Sequence, residues 1–120
     1  MAATISSTFV IDVTETLNNS AKVVTNPGRS FRILAVLATG VNTASVIVRK
    51  NSVSGAVAAG ATALATGDLN DFPIAVSATL ADTNFLSTDN IYISNTVAAD
   101  ITRVKILCEA VDGGQALTVT

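Results

Sequence analysis

Four aspartates, Asp68, Asp71, Asp82 and Asp89, lie close together in the chain, interleaved with Asn70, Asn84 and Asn90. Carboxylate and amide oxygens of this kind are what a hard cation such as Ca²⁺ takes as ligands. Their spacing matches no EF-hand loop, and the same residue types serve Asx turns and strand ends. The expectation is therefore turns, with no metal and no cofactor. Asp12 and Glu15 form a second carboxylate pair. Strand alternation puts them on opposite faces, which prevents a shared acid–base role. The chain has no histidine and one cysteine, Cys108. Serine nucleophiles lack an imidazole base, and Cys108 has no Cys–His partner and no disulfide mate. Gly113-Gly114 precedes a strand rather than a helix, so it does not read as a phosphate cradle. These residues argue against an enzyme.

The elements around them read as strands. Period-2 alternation of β-branched residues recurs, broken every eight to twelve residues or so by turn chemistry, the spacing of a sandwich or barrel. The runs are Thr8–Thr14, Ala21–Thr25, Ser30–Ala38, Ala44–Lys50, Phe72–Leu80, a run around Ile91 and Ile93, Ile101–Val111 and Ala116–Thr120. On this reading Phe31, Ile33, Ala35 and Leu37 face one way and Arg32, Leu34 and Val36 the other, which leaves the middle of the strand open to burial on both sides. Val104, Ile106, Cys108 and Ala110 face inward, against Arg103, Lys105, Leu107 and Glu109. Asn26-Pro27-Gly28 and Asp112-Gly113-Gly114 read as turns. The stretch 81–90 reads as a connecting loop anchored by Phe85 and Leu86. The fold class expected is an all-β jelly-roll or Greek-key sandwich of about eight strands. It forms one domain over residues 8–120, preceded by a flexible N-terminal arm, residues 1–7.

Composition narrows the partners. Hydrophobic residues make up 49% of the chain and charged residues 13%, with a net charge of −2. So weak a charge, with many small apolar residues, suggests surface covered by self-association or docking. The basic residues Lys22, Arg29, Arg32, Arg49, Lys50, Arg103 and Lys105 are scattered and leave no footprint for nucleic acid. The N-terminus shows neither the basic segment nor the apolar core of a signal peptide, and no apolar run is long enough to span a membrane. Synthesis in a cytoplasm is expected. Tyr92, opposite Ile91 and Ile93, is the one candidate for an exposed ring, and it reads as an ordinary cross-strand packing residue.

Three residues are expected at contacts with another subunit or a larger body. Ile5 is the single anchor of an arm that can add a strand to a neighbouring sheet edge. Ala58 and Ala61 lie in the Ala-rich segment Ser54–Gly67, read as extended or loop-like. It is too poor in large side chains to build a core and too apolar for a solvated loop.

The segments Thr88-Asp-Asn-Ile-Tyr-Ile-Ser-Asn95 and Ile101-Thr-Arg-Val-Lys-Ile-Leu-Cys-Glu-Ala-Val111 resemble a pattern in small structural proteins of tailed bacteriophages. The low-charge, Ala/Thr/Val-rich chain around them is similar to capsid decoration (cement) proteins. The resemblance implies a small β-domain, a homotrimer, that sits on the head surface and braces neighbouring major capsid proteins. It assigns no role to an individual residue. The alternative expectation is a carbohydrate- or receptor-binding β-module of a fibre or tail, using the loops 51–71 and 81–90.

Overall fold

The computed structural model describes residues 2–5, 7–26, 28–41, 44–60, 69–111 and 115–118. The turn expected at 112–114, the Pro27 position and Ala61 lie outside them. The described chain is an all-β sandwich of two antiparallel sheets with one helical turn. In chain order the strands are β1 (Ala2–Ile5), β2 (Thr8–Val13), β3 (Ser20–Val24), β4 (Phe31–Gly40), β5 (Val46–Lys50), β6 (Val57–Gly60) and β7 (Leu69–Ile74). Helix α1 (Leu80–Thr83) follows, then β8 (Asn84–Phe85), β9 (Ile91–Asn95), β10 (Ile101–Ala110) and β11 (Gln115–Thr118).

The first sheet runs β2-β10-β4-β7, with β8 paired to one end of β4; the second runs β3-β9-β5-β6. The ladders are nested. β5 pairs with β6, β4 with β7, β3 with β9, β2 with β10 and, outermost, β1 with β11. The chain is thus one long antiparallel hairpin, folded over so that β10 also meets β4 and β9 meets β5.

Alternation explains what fills the space between the sheets. Phe31, Ile33, Val36, Ala38, Val104, Ile106 and Cys108 point in from the first sheet, and Val46, Val48, Ile91 and Ile93 from the second; all are buried. Each such aliphatic side chain contributes about 1.5–3 kcal/mol by leaving water. Leu17 and Ile101, bridged by two backbone hydrogen bonds, close one end of the core. Phe85 closes the other, stacked on Phe31 at 5.0 Å, with Phe9 edge-on to Phe31 at 5.8 Å.

Two departures from the sequence pattern share one cause. Opposite β10 the register slips at Leu107/Cys108, so that Ala35 pairs with Leu107, Ile33 pairs with Cys108 and Leu34 is an extra residue. Such a bulge turns two successive side chains the same way. Leu34 and Ala35 therefore both lie outward, Val36 and Ala38 inward, and Leu37 outward, reversing the faces that strict alternation assigns to Ala35, Leu37 and Val36. A second slip, between β5 and β6, leaves Ala58 as the extra residue. There both Ala58 and Ala59 are buried. Segment 81–90 holds most of α1 and the two-residue β8. Phe85 is its anchor, whereas Leu86 is 65% exposed.

Candidate functional site

Ile5 lies in β1, opposite Gln115 of β11, so the extended N-terminal residues have a partner strand within their own chain. Ala58 is fully buried among the chain's own core residues. Its carbonyl accepts the backbone N–H of Ser77. A charge there meets the core before it meets any neighbour.

The aspartates are held apart, each by its own partner. Both oxygens of Asp89 are occupied: one accepts from Asn51 Nδ2 at 2.9 Å, the other from the Leu86 backbone N–H at 2.9 Å. These bonds, that from Asn51 first, hold its carboxyl below the usual aspartate range. Asp82 accepts from Ser77 Oγ, and Asp71 pairs with Lys105 at 3.3 Å. Asp68 lies outside the described residues. Among the described residues, no three acidic or thiol groups gather as a metal would require.

The loops expected to form a recognition site do meet. Asn51 Oδ1 accepts the Asn90 backbone N–H, and Asn90 Oδ1 accepts that of Asn26. Both side-chain amide atoms of Asn51 are thus spent on the 81–90 loop, and Asn90 ties that loop to Asn26. Cys108 is buried on the inner face of β10, and desolvation pushes its thiol up to about 12.

Two surface features remain. On the second sheet, a shallow concavity of about 280 Å³ is lined by Tyr92, Arg49 and Ile47, with Asn19, Ser94 and Thr96 among its rim residues. Tyr92 is half-buried there.

The other feature is the outer face of the first sheet, where register fixes three rows. Thr8, Glu109 and Arg32 form the first; Val10, Leu107 and Ala35 the second, with Leu34 beside them; Asp12, Lys105 and Leu37 the third. Val10 is 56% exposed, and Leu34 and Leu107 are also exposed. Ion pairs surround this apolar row. Arg32 meets Glu109 at 3.1 Å on one side. On the other side Lys105 meets Asp71, and Arg103 holds both oxygens of Asp12 at 2.8 and 2.5 Å. The two-pronged guanidinium contact keeps the Asp12 carboxyl below its ordinary range. The alternation Arg103, Lys105, Leu107, Glu109 was visible in the sequence. That Leu34 joins the same face was not, because the bulge puts it there.

No helix among the described residues is long and apolar enough to cross a membrane. Comparison of the chain with protein-family models, with curated proteins and with solved structures finds no match.

Proposed function

We propose that the chain is a structural virion protein, a decoration (cement) protein that braces a phage head as a homotrimer bound to the major capsid protein on the capsid surface. The observation that carries this reading is the nested hairpin. Its pairings, β2·β10, β3·β9, β4·β7 and β5·β6 folded into two four-stranded layers, favour the jelly roll, an architecture used by viral capsid domains. The outermost pair, β1·β11, forms a separate two-stranded sheet. The molecule is 53 Å long, whereas its ten-residue strands reach only about 33 Å. A two-stranded ribbon by itself is marginal in water and gains stability by lying on another surface. A cement protein has that need: a stiff body and a terminal element that engages the shell.

Light scattering on the purified protein and binding to undecorated heads of the phage that encodes it test the reading. A mass of three chains and saturable head binding, lost when residues 1–7 are removed, are the expected results. A monomer that leaves the heads bare overturns it.

One observation favours a second reading, the carbohydrate- or receptor-binding module. The Tyr92 concavity combines a ring face with hydrogen-bonding side chains, the chemistry that a sugar meets. Glycan-array binding that disappears in Tyr92→Ala, with the heads left bare, would replace the first reading by this one.

A further inference from the structure

We infer that the outer face of the β2-β10-β4-β7 sheet is a two-fold self-contact, whose partner is the same face of a second copy of this chain. The argument rests on the order of charges along β10. Glu109 and Lys105 stand two residues either side of Leu107, on the same face. A two-fold axis running across the strands, along the row Val10–Leu107–Ala35, exchanges the rows on either side of it. It therefore sets Glu109 of one copy against Lys105 of the other, twice. The same operation sets the Thr8 hydroxyl, a donor, against the Asp12 carboxylate, and Leu107 against Leu107. Because Glu109 already holds Arg32 and Lys105 already holds Asp71, each contact becomes a row of four alternating charges. An isologous interface needs this self-complementarity, which most surfaces lack.

The anatomy agrees: an apolar centre of Val10, Leu34, Ala35 and Leu107 inside a charged rim. Among the described residues, no element covers it. At ordinary strand spacings the face measures about 24 Å by 19 Å, on the order of 450 Å² per copy. Two such faces bury about 900 Å², the size of a weak, reversible contact rather than a permanent dimer. Decoration of a shell multiplies such contacts, but the inference stands without that reading. It states only that two copies of the chain meet face to face: a monomer then doubles its mass, and a trimer, with three such faces, doubles where all three close on one partner and grows further where they do not.

Sedimentation velocity at rising concentration, up to about 1 mM, tests it. Wild-type protein is expected to gain mass reversibly in one of these ways, and less so in high salt. Lys105→Glu and Glu109→Lys each set like charges against each other across the axis, and each alone is expected to weaken the association by about tenfold or more. Mixed in equal amounts, the two variants restore both opposite-charge contacts, and their heterodimer is expected to return to within about threefold of wild type. Melting curves of each variant show whether it is folded. Should either variant fail to fold, Val10→Lys, in the central apolar row, replaces it and is expected to abolish doubling. Wild type that never doubles overturns the inference. So do single variants that associate normally, or a mixture that does not recover. Recovery on mixing, with heads left undecorated, keeps this contact and removes the decoration reading; a trimer indifferent to these variants does the reverse.

Discussion

Replacing Asn95 with alanine is expected to cost about 2–4 kcal/mol, although its amide hydrogen-bonds only backbone groups. Asn95 is fully buried. Its Nδ2 donates to the carbonyls of Leu17 and Ala99, and its Oδ1 accepts the backbone N–H groups of Ser45 and Val97. One side chain thereby bonds backbone groups of three connecting segments at the end of the sandwich, and its loss strips the Ser45 and Val97 N–H groups and the Ala99 carbonyl of this partner, while the Leu17 carbonyl keeps its bond from Ile101. Urea unfolding of Asn95→Ala measures the cost; a loss under about 0.5 kcal/mol would mean that water replaces the amide. Cys108 makes the opposite case, a side chain whose chemistry is switched off by its surroundings. With the thiol held near 12 and buried, a native sample is expected to resist alkylation at mildly alkaline pH and to react fully once unfolded. Rapid labelling of the folded protein would contradict the packing of β10. The sequence made Cys108 legible as core because its neighbours at two-residue spacing, Ile106 and Val104, are apolar too. Alternation from Ile91 and Ile93 led toward Asn95 as an inner-face position, but its bonds were not legible, since Leu17 and Ser45 lie far away in the chain and the turn that brings Val97 and Ala99 back to it carries no period.

In β5, β9 and β10 every inward position read from the alternation is buried: Val46, Val48, Ile91, Ile93, Val104, Ile106, Cys108 and Ala110. Where alternation failed, a bulge was responsible. Nothing in the string of residues 31–38 marks Leu34 as the extra one; the slip exists only relative to β10. The same holds for Ala58 in β6. Small residues looked like the lining of an intermolecular contact, whereas here they let β6 place two successive side chains against the core. Ala58→Glu therefore tests the fold. A buried, unpaired carboxylate costs several kcal/mol, so the variant is expected to lose cooperative melting or to unfold at a much lower temperature. A melting curve like that of wild type would show that β6 can turn Ala58 outward. Helix α1 and β8 escaped the sequence because Leu80–Phe85 is too short for any period to appear.

At the scale of the whole molecule, acid should loosen the links between distant parts of the chain. Asp89 ties two loops, and Asp12 ties β2 to β10. Both carboxyls are held below their unfolded value. The stability they supply is thus present above the ordinary aspartate range and lost as pH falls through the lower folded value. Urea midpoints from about pH 7 to about pH 3 are expected to decline over the acid end. Asp89→Asn should flatten that decline, and an unchanged slope would assign it to other groups. The nested hairpin has a mechanical consequence as well. Ala2 sits opposite Thr118, at the open end of the outermost ladder. A pull applied between these two points meets the hydrogen bonds one pair at a time, as a zipper does, instead of loading the whole ladder in shear. Force spectroscopy with handles at the two termini should show the β1·β11 ribbon parting first, at low force, before the sandwich yields in a separate event. Tension drawn through one terminus and out across the sheet face would meet a far stiffer body, so the direction of a load decides how strong this molecule is.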